Sequence, residues 1–268
     1  MFNLKNKVIP TPSHSCDDLE NSVGWAFLPN NSVKSTLTPA LSQKRGNRCA
    51  FTLAEVLITL VIIGVIAAIT VPTLMNKTNN QEYVSKLKKA YSTLAQATNL
   101  IIAEEGIPRA DKGGWASSVE HLSNLYKKHL HNAKDCTMQE GCFNQVDGDN
   151  WYRLLSGKKI ANNWNSNTSR GKLVLADGTQ VMFEGVYNDC SQSSQGSNNV
   201  CAWIFVDING ARKPNMFGRD GFYFVLKENG LYPDGCDDLT YCTSTDNDGN
   251  KTGWGCTCKV LREGAISY

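Results

Sequence analysis

The sequence predicts an α+β protein in which one long N-terminal helix packs on a small antiparallel β-sheet. Three observations predict this class: an apolar run at residues 51–75, an amphipathic pattern that extends it to about residue 105, and short β-like runs after residue 172. Side chains return to the same face about every 3.6 residues in a helix and every two residues in a strand, so the spacing of apolar residues distinguishes the two. We expect a leader over residues 1–50, a transmembrane or filament helix over 51–75, and a globular domain over 76–268 that includes the amphipathic half of the helix.

The apolar run has the sequence FTLAEVLITLVIIGVIAAITVPTLM and contains one charged residue, Glu55. About 20 apolar residues are enough for a helix to cross a bilayer, so a membrane helix is the first interpretation. A carboxylate in hydrocarbon costs at least about 2.5 kcal/mol on insertion scales and should be offset by a cation. No Lys or Arg follows before Lys77, and the nearest amine would be a new N-terminus made by cleavage before Phe51. The alternative is a signal anchor that tolerates an acid near its interfacial end.

The residues around this junction resemble a known family. A small residue, Ala50, precedes FTLAE and the apolar helix, Pro72 is the 22nd residue after the junction, and three basic residues lie just before it: Lys44, Arg45 and Arg48. Over residues 44–103 the chain resembles type IV pilins and type II secretion pseudopilins. The family usually has glycine where this chain has Ala50.

The resemblance implies a pilin-like fold and a defined processing step. A prepilin peptidase would remove the polar, disordered leader by cutting between Ala50 and Phe51, and Phe51 would be N-methylated. Glu55 would then pair with a terminal amine, that of a neighbouring subunit, during filament assembly. No catalytic residue is implied.

The same resemblance implies partners and a location. The partners would be other pilin or pseudopilin subunits, the prepilin peptidase, an inner-membrane assembly platform and membrane lipid. The protein would cross the inner membrane once, with a periplasmic or extracellular globular domain, and would later enter a filament. The basic residues before the apolar run favour a cytoplasmic leader.

The charge of the chain gives no electrostatic footprint for nucleic acid. The leader holds six of the 27 Lys and Arg and three of the 25 Asp and Glu, which leaves 21 basic and 22 acidic residues. Nucleic-acid binders are usually clearly basic, so a nucleic-acid partner is not expected.

Cysteine usage predicts disulfides. Two of the ten cysteines, Cys16 and Cys49, lie in the leader. An even, dense set after an export signal is typical of disulfides in an oxidising compartment. Short loops suggest Cys136 with Cys142 and Cys190 with Cys201, while several pairings stay open for Cys236, Cys242, Cys256 and Cys258. A four-thiolate zinc site in this last group is the alternative, although paired Cys-x-x-Cys spacing is missing.

The elements after Pro72 follow from periodicity. Apolar residues recur at three- and four-residue steps from Tyr83 to Ile102, so the helix should continue past Pro72 to about Glu105. A second helix is expected within residues 116–131. Strands are expected on both sides of the Asp177-Gly178 turn, and then at residues 201–206 and 222–226. Residues 228–230 should then turn the chain toward Leu231 and Tyr232.

The loop at residues 206–222 is rich in oxygen ligands. Asp207, Asn209 and Asp220 would suit a hard cation such as calcium, which is the one cofactor considered. The alternative needs no ion, because Asp and Asn also cap turns through backbone hydrogen bonds.

Three classes of function are compatible with these features of the sequence. A structural filament subunit needs no catalysis, and no enzyme is expected because the chain has no G-x-S-x-G, H-E-x-x-H or phosphate-loop motif. A membrane-anchored exported enzyme is the less favoured alternative. An adhesive or DNA-uptake minor pilin would be favoured by exposure of four tryptophans, namely Trp115, Trp164, Trp203 and Trp254.

Overall fold

The computed structural model describes residues 52–144, 152–160, 163–194, 196–243 and 253–268. Within these ranges the chain forms an N-terminal apolar helix that continues into a mixed α+β head with a small antiparallel sheet. The fold class predicted from the sequence is therefore confirmed. The leader and the residue pair at the proposed cleavage site, Ala50 and Phe51, lie outside the described residues.

Helix α1 (Leu53–Glu105) is the longest element and is continuous through Pro72. A proline in a helix interior removes one backbone hydrogen bond, which a long helix can tolerate. Beyond Pro72, an apolar stripe is buried against the head, and apart from the buried Thr98 the side chains between its positions are half-buried or exposed. The buried apolar members of the stripe are Val84, Leu87, Ala90, Leu94, Ala97 and Ile101. The amphipathic period predicted for this half is confirmed.

Two shorter helices pack beside α1. Helix α2 (Val119–His129) begins at Ser118, whose side chain accepts a hydrogen bond from the backbone N–H of His121 at 3.1 Å. Helix α3 (Cys256–Glu263) contacts α1 and the last two strands of the large sheet, and its Val260 is fully buried. The second helix was predicted, whereas α3 was not.

The strands form one six-stranded sheet and a separate hairpin. Their bounds are β1 (Asn132–Asp135), β2 (Gly171–Leu175), β3 (Gln180–Glu184), β4 (Gln192–Ser194), β5 (Ser197–Val200), β6 (Ala202–Asp207), β7 (Gly221–Lys227) and β8 (Gly230–Pro233). The large sheet has the order β1-β2-β3-β6-β7-β8 with antiparallel neighbours throughout, and β4 pairs with β5. The Asp177-Gly178 hairpin, strands β6 and β7 and the turn after β7 are as predicted; β1, the β4–β5 hairpin and strand β8 were not predicted.

Both faces of the large sheet are covered. Alternate side chains point to opposite faces of a strand. On one face Phe224 stacks on Tyr91 of α1, with ring centroids 5.6 Å apart, and Phe183 contacts Tyr126 of α2 at 5.0 Å. On the other face Phe205 contacts Trp164 at 4.6 Å, under a cover of irregular segments. Burial on both faces explains why all six residues of β6 are buried.

Candidate functional site: the N-terminal helix and the loop beside it

The first half of α1 exposes apolar side chains on all sides. The segment Leu53–Pro72 has a mean hydropathy of 2.6 and is the one helix in the described part of the chain that is long and apolar enough to cross a membrane. None of its length is buried against the head. Exposed apolar area of this size is not stable in water, because burying a large aliphatic side chain stabilises by about 1.5–3 kcal/mol.

Polar side chains in this half are adapted to an apolar environment. Thr59 donates to the backbone carbonyl of Val56 and Thr70 to that of Ile66, each at 2.9 Å. These bonds stay within the helix, so neither hydroxyl needs water. Glu55 lies in the first turn of α1, where a negative charge is favoured by the helix dipole.

The environment of α1 changes within a few residues. Leu74 and Met75 are exposed, Asn80 is half-buried, and Val84 is the first residue of the buried stripe. One helix therefore presents an uncovered apolar segment and, directly after it, a face that belongs to the core of the head.

A comparison with protein-family models matches residues 45–71, which span the basic segment, the proposed cut and the apolar helix. The chain carries the prokaryotic N-terminal methylation motif. This motif is the signature of type IV pilins and pseudopilins, so the resemblance stated from the sequence is confirmed. Comparison with curated proteins and with solved structures gives no match.

The methylation motif supports two coarse conclusions. The motif is that of pilin-like or pseudopilin-like substrates of prepilin peptidase, and it belongs to structural rather than enzymatic proteins. The apolar helix after the motif fits membrane anchoring of a pilin.

The loop after β6 brings together the three residues considered for calcium. Asp207 is fully buried, and its Oδ1 accepts hydrogen bonds from the backbone N–H groups of Asn209 at 3.1 Å and Gly210 at 2.9 Å. Its Oδ2 accepts a hydrogen bond from the hydroxyl of Tyr152. Both oxygens of this carboxyl are therefore engaged with protein donors.

Asp220 closes the other end of the loop in the same way. Its Oδ1 accepts from the backbone N–H of Met216 at 2.5 Å, and its Oδ2 accepts from the backbone N–H of Asn215 at 2.8 Å and from Nδ2 of Asn209 at 3.0 Å. The described ranges contain no group of three or more His, Cys, Asp or Glu residues that could hold a metal ion. The hydrogen bonds favour turn capping over the calcium interpretation.

Burial raises the pKa values of these two carboxyls. Burial and the charge of Asp220 raise the pKa of Asp207 well above its ordinary value. Burial raises the pKa of Asp220 to about 6, although hydrogen bonds from Met216 and Asn215 oppose the shift. Protonation of a buried pair avoids two uncompensated charges, so the loop should tolerate mild acid.

Four disulfides crosslink the head. Cys136 bonds Cys142 and Cys190 bonds Cys201, as the short loops suggested. The open pairings are resolved as Cys236 with Cys258 and Cys242 with Cys256. Two of these bonds attach α3, which explains how so short a helix is held against the sheet, and the prediction of disulfides is confirmed.

Three of the four tryptophans named from the sequence are buried. Trp115, Trp164 and Trp203 are at most 7% exposed, and Trp254 is half-buried. Trp115, Trp164 and Trp203 are therefore too buried to support an adhesive surface on the head.

Asp234 is a buried acid that the sequence analysis did not predict. It is fully buried; its Oδ1 accepts from Ser197 Oγ at 2.6 Å and from the backbone N–H of Gly235 at 2.8 Å. It thereby ties the start of β5 to the cysteine-rich segment. An Asp-Gly pair after a strand predicts a turn, and nothing local predicts its burial.

Proposed function

We propose that this protein is a structural subunit, a minor pilin or pseudopilin, of a type IV pilus or type II secretion filament. The observation that carries the proposal is the coincidence of the methylation motif with a helix whose apolar side chains are uncovered from Leu53 to Pro72. A folded head on such a helix leaves an apolar rod that either lipid or other helices must cover.

Processing is the first step of the proposed mechanism. The leader stays in the cytoplasm, α1 spans the inner membrane, and the head lies on the periplasmic or extracellular side, where its disulfides can form. Prepilin peptidase cuts between Ala50 and Phe51 and methylates the new amine. The cut places a positive charge four residues before Glu55.

Assembly then exchanges lipid for helix contacts. As the subunit leaves the bilayer through the assembly platform, its apolar segment packs against the same segment of other subunits. The carboxylate of Glu55 meets the terminal amine of Phe51 in a neighbour. Opposite charges about 4 Å apart attract by about 4 kcal/mol at an effective dielectric constant of about 20, which is enough to fix the register of the helices. Calcium has no part in this mechanism.

The adhesive or DNA-uptake alternative uses the same anchor and adds a binding surface. Burial of Trp115, Trp164 and Trp203 and the balance of 21 basic against 22 acidic residues after the cut favour the structural role. A membrane-anchored enzyme has less support, because the motif is one of structural proteins.

The test replaces the charge of Glu55 without shortening the helix. Glu55→Leu should insert into the membrane and be cleaved normally, yet its incorporation into sheared filaments should fall at least about tenfold, because the charge pair is lost. Thr59→Leu is the matched control; it removes a polar group one turn away and should assemble as the wild type does. Equal amounts of the Glu55→Leu and wild-type chains in filaments would contradict the proposal.

A further inference from the structure

The lower end of the head, where α1 enters it, is formed by the loop after β6 and by the last residues of the chain. Asn79, Tyr83 and Lys86 of α1 line the same depression as Arg212 and Lys213 of that loop. Beside them, the Nδ2 of another α1 side chain, Asn80, donates to the backbone carbonyl of Ile266 at 3.5 Å. This end is the part of the head nearest to the apolar segment.

The charge at this end is predominantly positive. Arg212 and Lys213 are exposed, and Arg219 is half-buried. Arg219 lies near Tyr83, where burial raises the pKa of the tyrosine and the charge of Arg219 opposes that shift. In the described part of the chain none of the three forms an ion pair; Nε of Arg212 donates to the backbone carbonyl of Asn209 at 3.4 Å. With Lys86, they form what we call the basic cluster: Lys86, Arg212, Lys213 and Arg219.

The acids near the basic cluster offset only one of its four charges, that of Lys86. Glu82 is already paired with Lys86, Nζ to Oε1 at 2.7 Å, and Arg212 adds to the lowering of its pKa, of which Lys86 is the main cause. Asp220 is buried and engaged by the loop. Glu263 lies near Tyr268 and accepts a hydrogen bond from Ser267.

The basic cluster lies just beyond the layer of lipid headgroups when α1 spans a bilayer. With a rise of about 1.5 Å per residue, Asn79 to Lys86 lie about 6–17 Å beyond Met75, the last apolar residue of the segment. The headgroup layer adds about 5–8 Å to each side of the hydrocarbon core. Long Arg and Lys side chains on the lower surface of the head can cover the remaining distance.

We propose that the basic cluster binds the phosphates of anionic phospholipids and holds the head on the membrane surface before assembly. Guanidinium groups match phosphate oxygens through paired hydrogen bonds, and clustered basic residues near a membrane are attracted to its negative surface potential. The inference rests on the membrane anchoring of the proposed function. It adds a lipid-recognition surface on the head, separate from the apolar helix.

The test uses the full cleaved chain in lipid nanodiscs and measures backbone hydrogen exchange. One set of discs contains phosphatidylcholine alone, and the other contains two parts phosphatidylcholine to one part phosphatidylglycerol. Exchange at residues 208–220 should be at least about fivefold slower with phosphatidylglycerol, because each basic residue near an anionic surface contributes a factor of about that size. About 1 M salt should abolish the difference, since charges are then screened beyond about 3 Å.

Two triple variants that remove the same number of positive charges test whether the lipid dependence of hydrogen exchange comes from the basic cluster. The triple variant Arg212→Gln, Lys213→Gln, Arg219→Gln should exchange at the same rate in both discs. The control Lys112→Gln, Lys128→Gln, Lys134→Gln changes three exposed lysines elsewhere on the head and should keep the lipid dependence. Equal wild-type exchange in the two discs, or lipid dependence that survives in the first triple variant, would overturn the proposal.

The same data separate this inference from the proposed function. Protection of Leu53–Pro72 in both discs reports insertion of α1, so its absence would refute the anchor itself. If α1 is protected and the loop is insensitive to lipid, only the lipid surface is refuted. A first triple variant that enters filaments poorly while the loop ignores lipid would assign the basic cluster to an acidic neighbouring subunit, which also overturns the proposal.

Discussion

Asp234 shows how a single buried carboxyl makes stability depend on pH. Burial raises its pKa to about 8, although the hydroxyl of Ser197 and the backbone of Gly235 oppose the shift. An unfolded aspartate has a pKa of about 3.9, so between these values the folded state binds more protons. Stability from this group is full below about pH 4 and is lost as pH rises towards 8. Asp207 and Asp220, whose pKa values are also raised, act in the same direction.

We expect the free energy of unfolding to be greater at pH 5 than at pH 8, with Asp234→Asn reducing this difference. One pKa unit corresponds to about 1.4 kcal/mol, so the variant should remove a few kcal/mol of the pH dependence. Denaturant unfolding of the full chain in detergent, with disulfides intact, measures this. Asp238→Asn is the control, because the hydrogen bonds to Thr240 lower the pKa of Asp238 and keep it ionised throughout. An unchanged slope in Asp234→Asn would refute the assignment.

Individual residues differ in how far the sequence predicts their roles. The oxygen-rich loop around Asp207 and Asp220 is recognisable, yet its composition fits both a cation and a set of capped turns. Only the positions of the donors favour one of them. The Asn-Gly pair is more informative: Gly210 has φ +64°, and a Cβ there would lie 2.6 Å from the backbone carbonyl oxygen of Gly178.

At the scale of elements, α1 serves two environments with two different patterns. Both its uniformly apolar half and its amphipathic half can be predicted from the sequence, because apolar residues on one helix face recur every three or four positions. The unpredicted elements lack such a signal. Helix α3 has eight residues and is held by Cys256 and Cys258, and the β4–β5 hairpin is a serine-rich segment closed by Cys190 and Cys201. Crosslinks and tertiary contacts, rather than local propensity, determine these elements.

The amphipathic half of α1 should contribute strongly to the stability of the head. Leu94 is fully buried, so Leu94→Ala should lower the free energy of unfolding by about 2–5 kcal/mol through lost burial and a cavity. Leu100, on the same helix, is 51% exposed, and Leu100→Ala should change stability by less than about 0.5 kcal/mol. Denaturant unfolding in detergent measures both. Equal losses would contradict the placement of the stripe in the core.

At the scale of the whole molecule, the N-terminal helix carries a motif shared with a known family, and the matched residues, 45–71, end before the head. The anchor was predictable, because the methylation motif and the apolar helix are local patterns. For the head, the sequence predicted only the fold class. The order of its strands, the pairing of its last four cysteines and its basic lower end depend on contacts between distant segments. The proposed lipid-binding surface also depends on such contacts, because it forms only where the loop between β6 and β7 meets α1.

The proposed filament assembly depends most on the liberation of an amine at Phe51, because that charge is the expected partner of Glu55 in the filament. Intact mass and N-terminal sequence of the protein purified from its native cells test this directly. We expect a chain that begins with N-methylated Phe51 and lacks residues 1–50. A chain that retains residues ahead of Phe51, with no shorter form present, would contradict the account.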